Sequence, residues 1–243
     1  MKEIHFSLGF NEKIFCELLL FFKTILKSLD YEFFDIIQES NIIDHLIKEF
    51  NEIYYFYLDS NNKILLVLTE IFYFISKDRK AIKILINSQL PATIATMIGK
   101  IEAQTFSTFS EKMFGDFIAI ISGFLKTKTC AKIFYVNYTN LIEKLKIVLM
   151  DYGLKENFKF FIISFLNLVI EYENADQNLM TRTITKAYFK DLILKSQGST
   201  LTYKNLIEKS ISYIENPEAT QDRSRYSRVR SFFLKSSIIG IRS

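Results

Sequence analysis

The scarcest residues in this chain decide most about its fold. Its 243 residues include seven glycines and two prolines, against typical usage of about 7% and 5%. A sheet protein of this length needs many turns built on those residues, so the sequence predicts long helices joined by short links. The length allows one large domain or two small ones, with a sizeable buried core. Apolar residues make up 49% of the chain, with 24 Phe, 13 Tyr and no Trp, so material for such a core is present.

One proline, Pro91, stands between two helical stretches in KDRKAIKILINSQLPATIATMI (77–98). Proline is tolerated in a first helical turn, where its missing N–H has no partner to lose. The segment reads as a helix to about Ser76, a polar break, a short helix over 78–87, a corner at Ser88–Gln89 and a new helix opened by Leu90. The arrangement recurs. Residues 21–50 break at Leu29–Asp30 and turn at Ser40–Asn41, residues 115–149 turn at Thr139–Asn140, and residues 158–194 follow the same plan. The apolar residue after each corner is Ile42, Leu90, Leu141 and Tyr188, at spacings of 48, 51 and 47. One helical turn further lie Leu46, Ile94, Leu145 and Leu192, on the same face. Ser88 or Gln89 is placed to cap the Pro91 helix. Asn41 and Asn140 read as N-caps, with Asp44 and Glu143 completing capping-box-like pairs.

These stretches resemble the armadillo repeat, a three-helix unit with a short first helix, a second helix begun at a small-residue corner and often Pro, and a long third helix. DRKAIKILINSQLPATIATMI is the nearest match and FFDIIQESNIIDHLIKEF (33–50) the next, within a resemblance covering roughly residues 11 to 215. HEAT repeats share much of the pattern. The spacing exceeds the ~40–47 residues usual for the class, and the family's corner Gly is replaced by Ser, Gln or Asn. The resemblance implies an all-α fold, a right-handed α-solenoid of about four armadillo-like repeats over residues 1–215, followed by a basic C-terminal helix or tail over 216–243. It further implies a non-catalytic protein-binding scaffold or adaptor, acting through a concave face lined by third helices. In the family a recurring Asn on that face clamps the backbone of an extended peptide. The matching positions here are Glu70, Gly123 and Asn167, with the first unit's near Lys23. Only Asn167 keeps the family residue, and the absence of Trp removes the aromatic ladder of nuclear-import receptors. Glu70 and Asn167 are therefore the partner-binding candidates of the repeat region, without the expectation of an import-type cargo groove.

The tail is a different electrostatic object. Residues 223–243 hold Arg223, Arg225, Arg228, Arg230, Arg242 and Lys235 and no acid, a charge of +6 within a whole chain of +4. The first 222 residues therefore carry −2. Asn216–Pro217 reads as an N-cap and first helical position, with Tyr226, Val229 and Phe233 on one face of the helix that would follow. Such a helix would close the end of the repeat array. Alternatively, Arg223, Arg225, Arg228 and Arg230 would dock an acidic protein, RNA or an anionic membrane surface. That gives the alternative function, an RNA- or ribosome-associated factor. Ser227 and Ser231 lie among these arginines, where phosphorylation would add negative charge.

No pattern for catalysis stands out. The chain has no Gly-rich phosphate loop, GxSxG elbow or HExxH pair. Its two histidines, His5 and His45, have no Cys or His at ligand spacing, so neither a metal nor a cofactor is expected. Cys16 and Cys130 fit no metal or redox spacing and suit a reducing compartment. The opening MKEIHFSLGFNEK carries acids and no apolar core, unlike a secretory signal, and the sequon at Asn137 reads as a chance match. The longest apolar run, FFIISFLNLVI (160–170), is shorter than the ~18 residues of a membrane span. The expectation is a soluble cytoplasmic protein, with nuclear residence also compatible.

Overall fold

Every described element is an α-helix. The computed structural model describes residues 8–28, 41–56, 63–99, 111–151, 154–175, 183–196 and 200–217, and among these there is no strand. In chain order the helices are α1 (Leu8–Ser28), α2 (Ile42–Phe56), α3 (Lys63–Ile75), α4 (Arg79–Asn87), α5 (Leu90–Gly99), α6 (Glu111–Phe124), α7 (Lys128–Leu149), α8 (Glu156–Ala175), α9 (Lys186–Lys195) and α10 (Leu201–Glu215). The chain divides into two units, Met1–Phe165 and Leu166–Ser243, with the boundary inside α8.

The break after α3 has a simple cause. Asp78 takes an extended conformation, and its carboxylate accepts hydrogen bonds from the N–H groups of Lys80 (2.7 Å) and Ala81 (2.9 Å), which caps α4. Removing such a cap costs about 1–2 kcal/mol. Asp78→Ala is therefore expected to lower stability by that amount in a denaturant titration, with helical content unchanged. The corner at Ser88–Gln89 also forms as expected. Ser88 Oγ accepts from the Leu90 N–H at 3.1 Å, Pro91 is buried in the first turn of α5, and α4 and α5 bend by 69°.

The other corners meet the demand differently. Asn41 takes a left-handed φ of 55° rather than an extended cap geometry, a conformation that Asn tolerates better than most residues. At the third corner the chain bends within α7, where Tyr138 has non-helical angles (φ −126°, ψ 25°). α7 is therefore two helical stretches joined across this kink, and Asn140 lies just after it, close to the expected Thr139–Asn140 corner. Glu143 pairs instead with Lys146 at 2.9 Å. At the fourth corner Thr185 is the cap of α9, accepting from the Tyr188 N–H at 3.3 Å. Leu46, Ile94, Leu145 and Leu192 are all buried, whereas only Leu90 and Leu141 of the preceding set are; Ile42 and Tyr188 are partly exposed.

Within the first unit, α1, α3 and α6 lie side by side, and α2, α5 and α7 form a second row. The rows are joined where α2 packs on α3 and where α4 packs on α5, α6 and α7. Phe50 of α2 sits edge-on to Phe72 of α3 (5.4 Å) and Phe117 of α6 (6.3 Å), all three fully buried. Further along, Phe134 of α7 contacts Phe124 (5.9 Å) and Phe165 (6.1 Å). Asn51 of α2 joins the second row, donating to Gln89 Oε1 (3.0 Å) and accepting from Thr93 Oγ1. Since Asn51 reaches the start of α5, the corners at Ile42 and Leu90 are not laterally aligned.

The first row keeps a regular register. Lys23 of α1 meets Glu70 of α3, the Cβ position of Gly123 in α6 meets Ser76 just past α3, and Glu111 and Gly115 of α6 meet Asn157 and Phe161 of α8. Each pair is 46 or 47 residues apart. With two such pairs at constant offset, α6 and the part of α8 within the first unit run parallel. Gly115 has a structural reason: an added Cβ would lie 2.9 Å from the Phe161 ring.

In the second unit α9 packs on α10, with Phe189, Leu192, Tyr203 and Ile207 buried. The end of α8 is tied down by polar contacts. Glu173 accepts from the Thr183 N–H at 2.7 Å, and Asn174 Nδ2 donates to the Tyr213 carbonyl at 3.0 Å. Lys186 pairs with Glu215 across α9 and α10. Asn216 closes α10, donating its N–H to the Ser212 carbonyl. The proposed tail helix, with Arg223, Arg225, Arg228, Arg230, Ser227 and Ser231, lies outside the described residues.

Candidate functional site

Helix α6 is almost wholly apolar (EKMFGDFIAIISGF) and almost wholly buried: residues 113–115 and 117–124 are all inside. Past its first residue only Lys112 and Asp116 reach solvent, four apart and so on one face. The neighbouring α3 is buried over most of its circumference too. Leu66, Tyr73 and Phe74 are partly exposed, and Lys77 follows the helix as an exposed residue. The two rows of side chains make a strip along α3 and α6.

Charge converges on this strip from three helices. Glu70 lies between two cations, with one carboxylate oxygen on Lys23 and the other on Lys112. Glu70 and Lys23 are recessed, with side chains 10% and 17% exposed, whereas that of Lys112 is 67% exposed. Asp116 Oδ2 is buried and makes no hydrogen bond among the described residues. Burial lifts the Asp116 carboxyl to about 6, against the opposing pull of Lys112, Lys77 and Lys23. The Tyr73 hydroxyl is also pushed up, by burial first and then by the negative charge of Asp116. Lys77 Nζ lies over the rings of Tyr73 (4.2 Å) and Phe74 (4.4 Å), a cation–π arrangement that holds the ammonium near the strip.

The structure therefore brings Lys23 and Glu70 together and places Gly123 elsewhere on the row. Gly123 lies beside Ser76, and its added Cβ would stand 3.2 Å from the Ser76 carbonyl oxygen. The α6 residue that meets Glu70 is Lys112, about three helical turns before Gly123. Tyr73, Lys77, Lys112 and Asp116 were missed by motif matching. Their signal was available, since Lys112 and Asp116 interrupt an otherwise greasy helix where burial makes charge costly.

Asn167 belongs to the second unit. It is 8% exposed, with Oδ1 lacking a hydrogen-bond partner among the described residues. One turn on, the Glu171 carboxyl is raised by burial, with Lys209 of α10 opposing.

The remaining candidates gather no comparable chemistry. An open pocket of about 520 Å³ is lined by Asp44, Lys80, Lys83, Ile84, Asn87 and Ser88. Asn87 Nδ2 and Ser88 Oγ there donate to the Lys83 and Leu85 carbonyls. Cys16 and Cys130 are buried, unbonded thiols, and His45 is exposed on α2. Among the described residues no group of three or more His, Cys, Asp or Glu is placed to hold a metal ion. No single described helix is long and apolar enough to cross a membrane; α4 and α5 pass that test only as a bent pair. No known protein family matches the chain, and no curated protein or solved structure matches it.

Proposed function

We propose that this chain is a non-catalytic cytoplasmic scaffold, an armadillo-like α-solenoid that holds a partner protein against the exposed strip of α3 and α6. The observation that carries the reading is the recurrence of an offset of 46 or 47 residues in four contact pairs along α1, α3, α6 and α8. It falls at the upper end of the ~40–47-residue range of helical repeats. Stacked repeats bury one another's apolar faces and leave a continuous surface for a partner. A buried carboxyl that costs free energy in the unbound protein is expected where a surface is shaped for binding rather than for stability.

A photo-crosslinking residue in place of Tyr73 tests this in the native cell. The expected result is a discrete protein adduct at position 73 and none from the same group at Val136, which is 71% exposed on α7. Equal labelling at both positions, or none at 73, overturns the assignment of the strip. The rival reading, RNA binding by the tail, rests on the +6 charge of residues 223–243. It predicts RNA affinity that falls steeply with salt and disappears when residues 222–243 are removed.

A further inference from the structure

The charges of the strip are layered. Among the described residues its exposed charged side chains, Lys77 and Lys112, are cations, and its acids, Glu70 and Asp116, lie behind them. The one acid exposed at the start of α6, Glu111, is engaged by Asn157 Nδ2 at 2.6 Å. A basic partner would have to pass two ammonium groups to reach either recessed carboxyl. An acidic partner meets the cations first, and Tyr73 and Phe74 beneath Lys77 offer ring surface to whatever apolar side chains accompany its carboxylates. We infer that the strip of Tyr73, Phe74, Lys77 and Lys112 binds an acidic peptide segment of a partner protein, with Lys77 and Lys112 taking its carboxylates. The inference rests on the scaffold reading and adds the chemistry of the partner.

Binding of this kind is coupled to a proton. The charged groups bearing on Asp116 are Lys112 of its own helix, Lys77 after α3 and Lys23 of α1. Glu70 of α3 shares Lys23 and Lys112 with it, and Tyr73 feels its charge. Helices α4 and α7, also packed on α6, contribute none of the charges that bear on it among the described residues. A carboxylate brought to Lys77 and Lys112 draws their attraction away from Asp116 and adds repulsion, so the bound state holds the Asp116 proton more tightly. Affinity should then rise as pH falls toward 6, by at most about tenfold per pH unit for one proton.

The test uses the full chain and a fluorescein-labelled poly-Glu peptide, with poly-Lys and poly-Gln as controls. Anisotropy is read at low salt between pH 5.5 and 8, about a unit or more above the ordinary Glu pKa of about 4.3. Poly-Glu is expected to bind, poly-Lys and poly-Gln not. Lys77→Gln with Lys112→Gln should weaken binding about tenfold while circular dichroism stays unchanged. Asp116→Asn should hold the low-pH affinity across the whole range and so flatten the pH dependence. The inference is overturned if poly-Glu fails to bind, or if it binds the double variant as well as wild type, which would place the binding on the arginine-rich tail. A pH dependence that survives Asp116→Asn overturns the proton coupling. A non-acidic protein crosslinked at position 73 would defeat this inference and leave the scaffold reading standing.

Discussion

Phe50→Ala is expected to destabilise the first unit by about 3–5 kcal/mol, the range for removing a fully buried aromatic ring. Phe50 of α2 touches rings on both α3 and α6, meeting Phe72 and Phe117 edge-on. Its loss removes the apolar area of one ring and two favourable ring contacts, and it leaves a cavity between two rows of helices that cannot close without shifting both. Phe21 is 66% exposed on α1, so Phe21→Ala should change stability by no more than about 0.5 kcal/mol. Urea titrations of the two variants make the comparison. Near-equal effects would mean that α2 is not clamped to α3 and α6 by this cluster.

Asp116→Asn should have the opposite sign and depend on pH. The folded carboxyl titrates at about 6 against an ordinary 3.8, so the folded state binds the proton more tightly than the unfolded state. Below about 4 both states are protonated and nothing is lost. As pH rises from there to about 6, stability falls, and above 6 the full cost of burying the ionised group is present. A shift of about two units corresponds to at most ~3 kcal/mol. The Asn variant cannot ionise, so at pH 8 it should be more stable than wild type by up to that amount, and at pH 4 equal to it. Thermal melts of both proteins across that range decide it. A variant less stable than wild type at pH 8 would show that Asp116 is a net stabiliser through Lys112, Lys77 and Lys23.

The local features of the fold were legible in the residues. Asp78 and Ser88 with Pro91 mark where α3, α4 and α5 end and begin, because caps and proline act within a few residues of themselves. Where two residue types satisfy one local demand, the details differed. Asn41 turned left-handed, and the third corner formed as a kink at Tyr138, one residue before the expected Thr139–Asn140. The candidate site was half visible. Glu70 was picked out, but it was matched to Gly123, whereas the contacts set Gly123 beside Ser76 and the Lys112 end of α6 beside Glu70. A chain of apolar helices offers several registers one or two turns apart with similar patterns, and only side-chain packing selects among them.

The sequence by itself determined the helical class, the position of the Pro91 corner, and the separation of a nearly neutral body from a basic tail, since each follows from composition or from contacts within one turn. Tertiary structure alone decided that Lys23, Glu70, Lys112 and Asp116 share one strip, with Tyr73 and Lys77 beside them. These six come from two helices and a turn in one stretch of neighbouring elements and from α1, far earlier in the chain. Their meeting depends on how α1, α3 and α6 pack side by side. Steric fit between distant residues sets such packing, and no pattern within a single segment records it.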